Sequence, residues 1–222
     1  RVAATHRMAL YGTTDTRRGL PTPLRPGRRN TDTVWYVLVG MEPTAEGEVL
    51  RYWPAREVGK REDGVEPSAL SPEEALDALL RYKPGAADFV WRDRPIEWYR
   101  LDLPRSRFER LRLIDGPSGL LWRALSDDGT VMGAARRVAA ADAEPLERET
   151  GVDVSAVHDY RAAVAAGEDL GALVVTTRSG RAPWHVADGN HRATARALHL
   201  LESGEYDPQP AFVAVGSNPV AR

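Results

Sequence analysis

The stretch His185-Val186-Ala187-Asp188-Gly189-Asn190-His191-Arg192-Ala193-Thr194-Ala195-Arg196 holds the most concentrated chemistry in the sequence. A carboxylate, a glycine, an amide, an imidazole and a guanidinium follow one another from 188 to 192. The pattern reads as the end of a strand, a tight turn at Asp188-Gly189, and a helix entered through Asn190. That helix runs to about residue 202 and stops at Ser203-Gly204, where glycine suits a left-handed cap. Asn190 suits an N-cap, because its side-chain oxygen can accept from a first-turn amide. Gly189 lets the chain turn sharply and lets a ligand come close. His191 and Arg192 then stand in the first turn, where backbone amides and the helix dipole favour an anion. The chemistry such residues support is phosphate binding, with backbone donors below, the guanidinium and imidazole above, and the Asp188 carboxylate beside them. The same residues also make an ordinary strand–turn–helix junction, in which His191 caps or packs and Arg192 pairs with an acid on a neighbouring element.

The elements that must position this turn are legible nearby. Residues 155–167, SAVHDYRAAVAAG, predict a helix with Val157, Tyr160, Ala163 and Val164 on one face and Gly167 as its cap. Residues 173–177 and 183–187 read as strands joined at Ser179-Gly180, and 209–215 as a closing strand. Upstream, 33–40 (TVWYVLVG) and 49–53 read as strands of a hairpin around a loop at 41–48, and 60–67 as a loop. Ser71, Pro72 and Glu74 make a capping box that opens a helix to about residue 82, which Pro84-Gly85 ends. Short strands are expected at 96–102, 109–114 and 136–138, and an element at 120–126 ends in a turn at Asp127-Asp128-Gly129. Phe89, Trp91, Trp98, Tyr99, Phe108 and Trp122 suit a core better than a stacking platform. Residues 139–153 are acidic and read as a surface connection.

Composition bounds the function. The chain has 222 residues, 42% hydrophobic and 28% charged, with no cysteine. Disulfides, thiolate metal sites and cysteine nucleophiles are thereby excluded, and a cytoplasmic location is the expectation. No apolar run is long enough to cross a membrane, so no membrane partner is expected. The formal net charge of -2 argues against a general polyanion binder. Residues 1–29 are the exception, with seven arginines against the single acid Asp15. They read as a solvated tail or as a basic arm touching nucleic acid.

The pieces HDYRAAVAAG, ALVVTT, WHVADGNHRATARAL and PAFVAV, taken in order, resemble the ParB/sulfiredoxin superfamily over residues 150–216. The D-G-x-H-R turn carries the resemblance. Sulfiredoxin chemistry needs a cysteine where Asn190 stands, so sulfinic acid reduction is excluded. The partition proteins of the superfamily carry a G-E-R-R-type box where this chain has His191-Arg192, and here the sequence goes only a few residues past the last strand, so no partition clamp is expected. The turn is most similar to the D-G-H-H-R turn of the free-serine kinases. That similarity implies nucleotide phosphates held by Gly189, Asn190, His191 and Arg192, with Mg²⁺ at Asp188. It also implies an upstream glutamate, Glu147 or Glu149 (Glu144 is a further candidate), acting as base on a hydroxyl acceptor, with Asp188 and His191 beside the reaction.

The expected architecture is α+β (mixed α/β): an arm at 1–31, an N-terminal α+β region at 32–138, and a ParB/sulfiredoxin-like nucleotide-binding core at 139–222. The leading expectation is transfer of phosphate from ATP or another nucleoside triphosphate to a small hydroxyl compound, or hydrolysis of that nucleotide. A ParB-like nuclease or DNA-binding protein, and a non-catalytic nucleotide-binding module, are the alternatives.

Overall fold

The computed structural model describes residues 40–58, 70–91, 95–114 and 121–216. The basic arm, the strand expected at 33–40 (apart from Gly40), and the loop at 60–67 lie outside the described residues. What is described is a mixed α+β fold, with nine helices and a five-stranded sheet among the described residues. The strands are β1 (Glu42–Thr44), β2 (Ile96–Leu103), β3 (Leu173–Arg178), β4 (Arg181–Asp188) and β5 (Gln209–Gly216), in the order β1-β2-β5-β3-β4. Only β3 and β5 run parallel; the other pairs are antiparallel. Because β2 pairs with β5 along its whole length, the sheet runs across the boundary expected near residue 138.

Alternation along the strands separates two cores. Leu173 and Val175 of β3, Val213 of β5 and Val186 of β4 face one side. Val174, Phe212, Ala214 and Ala187 face the other. Three helices, α1 (Glu46–Val58), α2 (Pro72–Tyr82) and α3 (Pro84–Trp91), cover the second face through Val49, Trp53, Leu79 and Val90. Six more cover the first: α4 (Arg105–Phe108), α5 (Trp122–Leu125), α6 (Val131–Ala140), α7 (Ala143–Thr150), α8 (Val154–Ala165) and α9 (Asn190–Ser203). A sheet covered on both faces explains why β3 is buried without a break from Leu173 to Thr177. The aromatic residues go where a core needs them: Phe89, Trp91, Trp98 and Phe108 are buried, Tyr99 and Trp122 half-buried.

Several local expectations are overturned. Residues 49–53 are not a strand but the middle of α1. Their β-branched and aromatic character gives way to a helical face that seats Val49, Leu50 and Trp53 on the sheet, behind Glu46 and Glu48 in a favourable first turn. The loop at 41–48 accordingly holds β1 and the start of α1. Residues 136–138 belong to α6, whose Val131, Ala134, Ala135 and Val138 recur at helical spacing. Thr130 caps α6 by accepting from the Gly133 amide at 2.9 Å. Within 139–153 lies α7, which buries Leu146 and Thr150 and ends at Gly151 with φ 72°. The strand at 109–114 shrinks to Arg112, which bridges His185 and Thr130. Pro84 does not merely end α2; it opens α3, leaving Lys83 at the joint.

Other expectations hold in detail. Ser71 caps α2 through the Glu74 amide at 3.3 Å, and Glu74 returns the contact to the Ser71 amide at 2.8 Å. α9 ends at Gly204, with φ 75°. The chain after it is pinned by Tyr206, whose hydroxyl donates to the Leu103 carbonyl at 2.7 Å while its ring packs on Phe108.

Two predictions follow from this packing. Ser71→Ala should lower unfolding free energy by about 1 kcal/mol, measured by urea titration, because one reciprocal cap is lost. Burial pushes the Tyr206 phenol up to about 12, from an ordinary 10.0. Above its ordinary value the unfolded chain releases this proton while the folded chain keeps it. The phenol's contribution to stability is therefore whole below pH 10.0 and is lost as pH rises towards 12. Tyr206→Phe should flatten the decline of stability measured across that alkaline interval.

Candidate functional site

The turn is built where β4 ends against α9. Gly189 takes φ 90°, a left-handed conformation that glycine adopts without strain. Space demands glycine as well: a Cβ there would lie 2.7 Å from Leu173 Cδ2 and 2.8 Å from an Arg192 terminal nitrogen. Gly189, not Asn190, is the N-cap. Asn190 is already helical, and its side chain turns back to the protein. Its Oδ1 accepts from the Ile114 amide at 3.1 Å and its Nδ2 donates to the Val186 carbonyl at 3.4 Å. Asn190 therefore fastens the 111–114 segment to β4 and does not reach for a ligand through its side chain.

Asp188 and Arg192 are both buried, at 4% and 5% exposure. One oxygen of Asp188 accepts from Arg192 at 3.0 Å, and the other pairs with Lys83 Nζ at 2.8 Å. The remaining terminal nitrogen of Arg192 donates to the carbonyls of Leu170 at 3.0 Å and Ala172 at 2.8 Å. Arg192, expected at the phosphate, is paired with Asp188 and with backbone carbonyls, and so holds the turn together. Asp188, expected at the metal, has each oxygen on a cation. No group of three or more histidine, aspartate or glutamate side chains suited to a metal occurs among the described residues.

A cavity of about 260 Å³ opens beside the turn. Its walls include Lys83, Trp122, Tyr160, Asp188, Gly189 and His191. The His191 ring meets Trp122 edge-on, with centroids 4.8 Å apart. The helix ladder begins with the Ala193 amide on the Gly189 carbonyl, so the amides of residues 190–192 precede it. Leu121, at the rim, has φ 47°, a rare backbone state for a residue with a side chain. Among the described residues, two cations, Lys83 and Arg192, pair with the Asp188 carboxylate at this site.

The two expected bases are elsewhere. Glu147 accepts from the Ser155 amide at 2.6 Å, capping the start of α8, and that hydrogen bond holds its carboxyl below the ordinary value. Glu149 pairs with Arg137. Neither lines the cavity, and Glu144 is exposed in the first turn of α7. His185 packs edge-on to Phe89, a structural place. Three wall residues were not read from the sequence as part of the site: Lys83, Trp122, which was read as core, and Tyr160, which was read on a helix face. Lys83 had a signal, being one of two lysines in an arginine-rich chain and standing between Tyr82 and Pro84.

The chain matches no protein-family model, no curated protein and no solved structure. No helix of the described residues is long and apolar enough to cross a membrane.

The buried clamp sets a ranking. Asp188→Asn should cost about 3–5 kcal/mol in chemical denaturation, because it leaves the buried guanidinium without its carboxylate. Lys83→Met should cost about 1 kcal/mol or less, since the lysine side chain is 33% exposed and its pairing is partly screened.

Proposed function

We propose that this chain is a ParB/sulfiredoxin-like nucleotide-binding protein that holds the phosphates of ATP or another nucleoside triphosphate at the N-terminus of α9. The observation that carries this reading is the glycine-opened helix start on a cavity that Lys83 and His191 also line. First-turn amides can donate to a phosphate oxygen there, aided by the helix dipole. Lys83 is the cation able to answer the ligand, because its side chain is partly exposed whereas Arg192 is not. Trp122 and Tyr160 offer flat faces to the nucleoside. At about 260 Å³ the cavity suits the phosphate end of a nucleotide better than a whole one. Mg²⁺ would arrive with the phosphates, since Asp188 is already paired twice.

Among nucleotide-binding readings, the geometry favours a binding module. Among the described residues, Asp188 is the carboxylate on the cavity wall and is held by Lys83 and Arg192, while Glu147 and Glu149 have other partners. Phosphoryl transfer to a hydroxyl acceptor, or hydrolysis, is the second reading. Its support is His191 on the same wall as Lys83, an imidazole beside a cation where a phosphate would lie.

Calorimetric titration of ATP, ADP and CTP, each with Mg²⁺, tests both. Wild type should bind at least one of them, and Lys83→Met should weaken that binding about tenfold, the effect of losing one charged hydrogen bond. No binding by wild type ends the nucleotide reading. Phosphate release or transfer that is lost in His191→Ala would establish the second reading over the first.

A further inference from the structure

A second cavity, of about 440 Å³, lies where the end of α8 meets α9 and the loop before β5. Gly167, Arg196, His199, Glu205, Tyr206 and Asp207 are among its walls. Arg196 stands six residues beyond Asn190, roughly 9 Å along the helix axis, so the cavity is independent of the nucleotide reading. Arg196 is half-buried. Its Nε is shut away from solvent with no acceptor, and the guanidinium makes no hydrogen bond or ion pair to a described residue. Burial lowers its pKa, and only the longer-range attraction of Tyr206, Asp207 and Asp169 opposes this. A half-buried guanidinium with a buried donor left unpaired is costly to fold and has a hydrogen bond to offer a ligand.

Two exposed carboxylates, of Glu205 and Asp207, line the same cavity. Glu205 and Asp207 flank Tyr206, which is anchored to the Leu103 carbonyl at 2.7 Å. The Glu205 amide also donates to Ser203 Oγ at 3.0 Å. Neither carboxylate forms an ion pair with a described residue. A plain anion on Arg196 would meet two carboxylates, and a plain cation on those carboxylates would meet Arg196. A ligand carrying both charges satisfies both groups. We propose that this cavity binds a small zwitterion of the α-amino-acid type, with its carboxylate on the terminal nitrogens of Arg196 and its ammonium towards Glu205 and Asp207. The planar guanidinium suits a carboxylate because two parallel N–H donors can meet its two oxygens.

The test is an NMR titration of the ¹⁵N-labelled chain with L-alanine, compared with acetate and ethylammonium, which each carry half of its charge pattern. L-alanine should shift the Arg196 Nε–Hε signal and the Gly167 and Asp207 amides saturably, at lower concentration than either half-probe. Arg196→Gln should abolish the shifts, and Asp207→Asn should weaken binding several-fold, both with unchanged spectra elsewhere. If Arg196→Gln does not fold, Glu205→Gln with Asp207→Asn serves instead, and should bring L-alanine down to the affinity of acetate. Absence of saturable shifts in wild type overturns the proposal, as does binding that survives Arg196→Gln. Acetate binding as tightly as L-alanine would also overturn it, by reducing the cavity to a carboxylate site.

Discussion

The Asp188 carboxylate, buried between Lys83 and Arg192, is the constraint on which the arrangement of this protein depends. An ionised carboxylate out of water is costly, and two cations with direct hydrogen bonds make it tolerable. The two come from opposite sides of the sheet. Lys83 belongs to the joint between α2 and α3 on one face, and Arg192 to α9 on the other. Arg192 continues the connection into the 170–172 loop, where the Leu170 carbonyl also accepts from Arg56 and the Ala172 carbonyl from Tyr52, both of α1. One charge thus ties both helical layers to the end of the sheet where the cavity lies.

This economy changes what the turn can do. A guanidinium held to an acid and two carbonyls gives rigidity, and rigidity is what keeps the first-turn amides of α9 pointed at one place. Such a site is held in place by its own ion pair and backbone hydrogen bonds. It is poorer in proton-transfer groups, because the carboxylate nearest the cavity is fully occupied and the glutamates of α7 serve as a helix cap and a surface ion pair. Lys83 lines the cavity from the α2–α3 joint, so the helical layer contributed by the first half of the chain shares in its walls.

The capping box at Ser71, the helix ends at Gly204 and Gly151, and the strands from 173 to 215 follow local rules, and local rules are what a single sequence displays. Although the α8, β3, β4, α9 and β5 succession was legible, α1 was not: Val49 to Trp53 carry strand-forming side chains, and only the apolar sheet face below them decides for helix. In α6 the helical spacing of Val131, Ala134, Ala135 and Val138 was present but lay across a window wider than the short strand read there.

The sequence by itself determined that there is a glycine turn between strand and helix, that no cysteine chemistry is available, and which side chains could gather at residues 188–192. Tertiary structure alone decided who their partners are. Local rules of conformation act over a few residues, whereas Lys83 lies 105 positions from Asp188 and Ile114 lies 76 from Asn190. Charge pairing and burial act through space, so Arg192 became a clamp and Lys83 a wall of the cavity only once the sheet had brought its two helical layers together.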